Sequence, residues 1–146
     1  MEQKVILKKQ ESFELKHIFE CGQCFRWNEE KDSSWTGVIK DAVINVRKEN
    51  DEVIIQGEVL GNKDLNEIVC EYFDLNTNYT EYKEILGSID EYLAESIRFG
   101  EGIRILKQDL WETIISFIIS ANNNIPRIKK IIEAISRKYG KKIIFN

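Results

Sequence analysis

Apolar and polar positions change rhythm once along this chain, near Gly61. Before it come short runs of β-branched and aromatic residues: Val5-Ile6-Leu7, Phe25-Arg26-Trp27, and residues 35–39, 42–46 and 53–56. Turn-forming residues separate the later runs: Asp32-Ser33-Ser34, Lys40-Asp41 and Glu49-Asn50-Asp51. Such runs predict strands, and links this short join antiparallel neighbours. Residues 13–19 fit either a strand or a helical turn. After Gly61 the apolar residues fall into helical stripes. Asn62-Lys63-Asp64 predicts a helix start, followed by Leu65, Ile68, Val69, Tyr72 and Phe73. Asn78-Tyr79-Thr80 opens a second helix with Tyr82, Ile85, Leu86 and Ile89. Asp90 opens a third with Tyr92, Leu93 and Ile97, stopping at Gly100. Residues 110–119 are apolar on nearly every face and predict a buried helix. Ile125, Ile128, Ile131, Ile132 and Ile135 form one stripe of a last helix. Pro126 fits its first turn, and Gly140 its C-cap.

Strands followed by helices define an α+β fold: an antiparallel sheet domain with a packed helix over residues 1–76, then a helical segment over residues 77–146. The chain shows no internal repeat and no low-complexity stretch. Its end, Lys142-Ile143-Ile144-Phe145-Asn146, is apolar where termini are usually polar. That predicts a polypeptide that continues elsewhere or was cut.

At 146 residues, with 42% hydrophobic residues, the chain suffices for one domain or two small lobes. No apolar run approaches a transmembrane length, and Met1-Glu2-Gln3-Lys4 is not an export signal. The expectation is a cytoplasmic protein, neither secreted nor membrane-bound. The net charge of −4 hides an asymmetry: from Glu101 onward nine basic residues face four acidic ones. A basic C-terminal part on an acidic chain suits a localised polyanion contact, and equally a solvated helix face.

Three cysteines without a secretory signal argue against a disulfide framework. His17, Cys21, Cys24 and Cys70 make up one Cys₃His zinc set by count, and Cys21-Gly22-Gln23-Cys24 spells CxxC. The second pair of ligands is not closely spaced, however, and Cys24 leads into an expected strand rather than opening a helix as a redox CxxC does. The expectation is therefore no metal and no cofactor.

The most informative residues are Asn122-Asn123-Asn124, set between the two apolar helices. Their amides donate and accept at once, as reading a base edge requires. Asparagine is also an ordinary cap and turn residue. A second segment, Cys21-Gly22-Gln23-Cys24-Phe25-Arg26-Trp27, changes the odds. With Gly102 through Glu112 and Asn122 through Ile128, it resembles, in order and spacing, the N-terminal half of the 8-oxoguanine DNA glycosylases. These are base-excision repair enzymes of the helix–hairpin–helix superfamily. Tyr72-Phe73-Asp74-Leu75 lies within the resemblance, which covers nearly the whole chain.

The resemblance implies a sheet domain similar to half of a TATA-binding protein, leading into an all-helical domain. It implies flipping of the damaged guanine into a pocket. A lysine amine then attacks the sugar carbon and leaves a Schiff base, with an aspartate assisting. Both residues follow a Gly/Pro-rich hairpin in the family. The only proline here is Pro126, and Gly100-Glu101-Gly102 imitates that hairpin without its proline. No catalytic residue is therefore expected in this chain, and neither Lys107 nor Lys129 matches the family's lysine.

Residue by residue, Gly22 matches the glycine whose carbonyl accepts a hydrogen bond from the lesion. Guanine N7 is an acceptor, whereas 8-oxoguanine carries N7–H. Asn122 matches the residue filling the gap left by the flipped base, and Arg127 one that hydrogen-bonds the orphan cytosine. Asn123 and Asn124 brace the turn or touch phosphate. Lys129, Lys130 and Lys138 are candidates for salt-sensitive backbone contacts. Lys107 and Leu110 stand where Arg and Pro are common, and Cys21 and Cys24 where small residues are usual. The implied partner is double-stranded DNA with 8-oxoguanine opposite cytosine, bound by a monomer. The competing readings are a non-enzymatic nucleic-acid-binding module and a small zinc or thiol-redox protein.

Overall fold

A computed structural model describes residues 2–143. Five antiparallel strands form one sheet: β1 (Glu2–Lys8), β2 (Trp27–Glu29), β3 (Trp35–Ile39), β4 (Ala42–Glu49) and β5 (Glu52–Val59). Their spatial order is β1-β5-β4-β3-β2. Strands β2 to β5 form a meander through tight turns, and β1 closes the far edge against β5. Two of those turns place Lys40 and Asn50 at positive φ. The expected strand at residues 25–27 begins only at Trp27. Phe25 and Arg26 lie outside the ladder, whose first pair on this strand is Trp27 with Gly37. The ambiguous stretch at 13–19 is a short helix, α1 (Leu15–Phe19), with Phe13 buried ahead of it.

Alternation fixes which side chains face inward. Leu7, Trp35, Ile39, Ile44, Val46, Val53, Ile55 and Val59 point to one face. There they meet Leu15, Ile18 and Phe19 of α1, and Leu65, Ile68, Val69 and Tyr72 of α2 (Leu65–Tyr72). Asp64 caps α2 by accepting from Asn66 N–H, and Gln3 of β1 accepts from Leu65 N–H at 2.8 Å. That bond ties the helix start to the sheet edge.

The centre is aromatic. Trp27 stacks on Phe19 with centroids 3.9 Å apart, and its indole N–H donates to Tyr72 Oη at 2.9 Å. Phe73 packs edge-on against Tyr72 at 5.1 Å. Gly37, opposite Trp27 in the ladder, makes room for the ring, since a Cβ there would lie 2.3 Å from Trp27 Cδ2.

The helices after residue 76 form two hairpins. α3 (Tyr79–Gly87) packs on α4 (Glu91–Phe99), and α5 (Leu110–Ser120) on α6 (Ile125–Tyr139). Each starts on a side-chain cap: Asn78, Asp90, Asp109 and Asn124. Gly140 ends α6, but at φ −80° and not in the left-handed region. Glycine is needed there because a Cβ would sit 2.4 Å from the Ser136 carbonyl. α3, α4 and α5 contain no buried residue, against the expectation of a buried helix at 110–119. Tyr92, Phe99, Trp111 and Phe117 are more than two-thirds exposed. Their apolar faces have no covering partner among the described residues.

The two parts are interleaved. After α4 the chain returns to the sheet, burying Arg104 and Leu106. The Arg104 guanidinium donates to the carbonyls of Glu11, Phe73, Asp74 and Thr77 and lies over the Tyr79 ring. Burial holds this arginine below its usual pKa, and Tyr79 and Asp74 oppose that effect. The expected tail of Ile144, Phe145 and Asn146 lies outside the described residues.

Two substitutions test the Trp27 clamp. Tyr72→Phe strands the buried indole N–H and should cost about 1–3 kcal/mol. Gly37→Ala overpacks the ring by a similar amount. Urea unfolding of the chain measures both, and losses below about 0.5 kcal/mol contradict the clamp.

Candidate nucleic-acid interface

Residues 20–26, between α1 and β2, make an irregular loop held by side chains rather than by a ladder. Gly22 is exposed with φ +87°, a conformation glycine adopts without cost. A Cβ there would meet nothing within 4 Å. Its carbonyl accepts no hydrogen bond from any described residue. Gln23, by contrast, is fully engaged. Its Nε2 donates to the carbonyls of Ile18 at 3.0 Å and Arg104 at 2.8 Å. Its Oε1 accepts from Leu106 N–H at 3.0 Å. Its own carbonyl accepts from Gln108 Nε2. An open acceptor thus stands next to a pinned residue.

The asparagine turn shows the same division of labour. Asn124 Oδ1 accepts from Arg127 N–H at 3.1 Å and caps α6. Asn123 Nδ2 donates to the Ile119 carbonyl at 3.0 Å, closing the end of α5, and Asn123 Oδ1 accepts from Asn124 N–H. These two bonds brace the turn. Asn122 takes φ +51°, is exposed, and its amide bonds to none of the described residues. Asparagine is among the non-glycine residues that most readily take that region, as Asn50 does in the β4–β5 turn. The Arg127 side chain is likewise exposed without a described partner.

Two cross-links join the Gly22 segment to the helices that carry this turn. Arg26 Nη1 pairs with Glu112 Oε2 of α5 at 3.0 Å, both half-buried. Lys129 Nζ of α6 donates to the Trp27 carbonyl at 2.6 Å. Gly22 and Asn122 therefore belong to elements braced by the same stretch, residues 23–27. Lys129, a candidate phosphate contact from sequence, has its amine spent on that brace. Lys130 is exposed, and Lys138 lies 5.3 Å from the centroid of the Tyr139 ring.

The remaining candidates are accounted for by local contacts. Lys107 pairs with Asp74 at 2.6 Å, and that carboxylate raises its pKa. It is fully protonated and a poor nucleophile. Burial pushes the Cys24 thiol up to about 12, so it is not a thiolate at neutral pH. His17 Nδ1 accepts from Gly102 N–H at 3.2 Å. Cys70 Sγ faces Asn66 Oδ1 at 3.9 Å. Among the described residues no group of three His, Cys, Asp or Glu is placed to hold a metal ion. No described helix is long and apolar enough to cross a membrane.

Sheet, helices and the two braced loops are shared with a known protein family. The model of the 8-oxoguanine DNA glycosylase N-terminal domain matches residues 5–114, and the chain belongs to that family. It is 30% identical over 138 residues to an N-glycosylase/DNA lyase of Saccharomyces cerevisiae, covering 86% of this chain and 36% of that protein. It is 26% identical over 121 residues to an N-glycosylase/DNA lyase of Arabidopsis thaliana, covering 81% and 33%. Among solved structures, the Clostridium acetobutylicum 8-oxoguanine glycosylase/lyase bound to double-stranded DNA with cytosine opposite 8-oxoguanine superposes with a TM-score of 0.89 at 44% identity. That match covers all of this chain and 51% of the other. A structure of MBOgg1 with a low-affinity DNA ligand gives a TM-score of 0.89 at 50% identity, covering 98% and 48%. The chain thus spans about a third of the curated relatives and about half of the solved ones.

The turn separates cap from recognition residue by stability. Asn124→Ala should cost about 1 kcal/mol as a lost cap. Asn122→Gly should change the unfolding free energy by less than about 0.5 kcal/mol, since glycine also accepts a left-handed backbone. Urea titration that reversed the two values would make Asn122 the structural residue.

Proposed function

We propose that this chain supplies the lesion-reading and opposite-base-reading part of a DNA glycosylase/AP lyase acting on 8-oxoguanine paired with cytosine. The observation that carries this reading is the pair of unsatisfied recognition groups, the Gly22 carbonyl and the Asn122–Arg127 edge, on elements braced together. The family membership and the superposition on a complex with such DNA support it. In this reading residues 1–76 are the sheet domain, into which Arg104 and Leu106 return. Residues 77–146 begin the helical domain.

The chemistry at each position is simple. A carbonyl at Gly22 attracts the N7–H of 8-oxoguanine and repels the bare N7 of guanine. A mismatch of two buried acceptors costs about 1–3 kcal/mol. Asn122 fills the gap left by the flipped base. Arg127 offers donors to the O2 and N3 acceptors of the orphan cytosine. Asn123 and Asn124 hold the turn in shape, and Lys130 and Lys138 add salt-sensitive phosphate attraction. The exposed apolar faces of α3 to α5 suit contact with the further polypeptide that the relatives carry. The protein works as a monomer on DNA inside the cell. Base expulsion needs an unprotonated amine near the sugar. Lys107 is held in an ion pair and Lys129 donates to a carbonyl, so neither is such an amine.

The purified 146-residue chain should therefore excise no base from a duplex containing 8-oxoguanine opposite cytosine, read as strand cleavage on a denaturing gel. Cleavage by this chain would place a catalytic amine within it. In the intact gene product, Arg127→Ala should lower the preference for cytosine over adenine opposite the lesion by about tenfold, the value of roughly one charged hydrogen bond. An unchanged preference would remove Arg127 from opposite-base reading. DNA affinity without any lesion preference in the intact product would favour a plain nucleic-acid-binding module.

A further inference from the structure

We infer that Gln23 is a positioning residue for lesion recognition: its side-chain amide and main-chain carbonyl fix the direction of the Gly22 carbonyl. This rests on the reading of Gly22 given above. Gly22 has nothing of its own to hold it. It has no side chain, no hydrogen bond among the described residues, and a φ of +87°. Its carbonyl lies in the planar peptide unit that runs from Gly22 Cα to Gln23 Cα. Anchoring Gln23 Cα therefore anchors one end of the plane in which the Gly22 oxygen lies.

Gln23 is well suited to that task. Four hydrogen bonds leave it in three directions: to Ile18 on α1, to Arg104 and Leu106 on the returning segment, and from Gln108 beyond. The partners also fix the amide orientation. Two carbonyls demand the –NH₂ end, and one N–H demands the oxygen. A glutamate would turn a carboxylate oxygen toward two carbonyls. Alanine would remove three of the four bonds. The returning segment is itself rigid, because Arg104 is buried and bonded to four carbonyls. The reading carbonyl is thus referenced, through Gln23, to the core and not to solvent-exposed loop atoms.

A loosened carbonyl still permits DNA binding but no longer favours a donor at N7 over an acceptor. The loss falls on discrimination and not on general affinity. The test uses the intact gene product and three duplexes with cytosine opposite guanine, 8-oxoguanine, or 7-deaza-8-oxoguanine, which lacks the N7–H donor. Affinities are measured by fluorescence anisotropy. Gln23→Ala and Gln23→Glu should each reduce the preference for 8-oxoguanine over guanine by about tenfold, while affinity for undamaged duplex changes less than twofold. Gln108→Ala removes only the donor to the Gln23 carbonyl. It should give a smaller loss of discrimination with the melting temperature kept, so the inference remains testable if the Gln23 variants fold poorly. Full discrimination in a folded Gln23 variant, or in Gln108→Ala should both Gln23 variants fail to fold, overturns the positioning role. If the unaltered protein binds the 7-deaza lesion as tightly as 8-oxoguanine, the reading of Gly22 itself falls instead.

Discussion

The Trp27 indole sits where the sheet, two helices and the recognition loop converge. Phe19 of α1 stacks on it, Tyr72 of α2 takes its N–H, and Gly37 of β3 leaves it space. Its backbone carbonyl receives Lys129 from α6. Because the ring is 1% exposed and its polar atom is paired, the residue has essentially one place to be. The preceding residues inherit that constraint. Arg26 reaches Glu112, Cys24 is buried, and Gln23 spans the gap to the returning segment. A core tryptophan thus sets the position of an exposed glycine five residues earlier.

In the proposed function this arrangement suits a difficult discrimination. Guanine and 8-oxoguanine differ at N7 by a donor in place of an acceptor, so selection depends on where one oxygen points. A side-chain reader loses rotamer freedom on binding, whereas a backbone carbonyl on a pinned peptide plane has little to lose. The same economy holds at the asparagine turn. Two amides satisfy the helix ends, leaving the third, in a left-handed conformation, free for a ligand.

Much of the fold is written locally and could be read from the chain. The three later strands, the caps at Asp64, Asn78 and Asp90, and the interruption at the asparagines all depend on neighbours a few residues away. Residues 25–27 misled in part: two aromatics beside an edge strand look like more strand, yet only Trp27 joins the ladder. The apolar faces of α5 predicted burial, yet none of its residues is buried even with α6 packed on it. Within the candidate site, the asparagine turn stood out from the pattern alone, whereas the roles proposed for Gly22, Asn122 and Arg127 come only from the family motif. Gln23, Arg104 and Lys129 had no local signal, since their partners lie up to 102 residues away. A buried arginine serving carbonyls and a lysine spent on a backbone oxygen look from sequence like surface charge.

The grip of Arg104 on residues 73, 74 and 77 does more than fill a polar gap. It closes the base of the α3–α4 excursion, so the chain leaves the sheet lobe and re-enters it through nearly the same point. A segment pinned at both ends in this way is a closed loop on the sheet lobe, tied to it further by Thr80 on Glu11 and Lys83 on Ser12. The entropic cost of lengthening a closed loop grows only logarithmically, about 0.6 kcal/mol per doubling. The hairpin can therefore change length at small entropic cost, provided its base is kept, because the same returning segment anchors Gln23 through the Arg104 carbonyl and the Leu106 N–H.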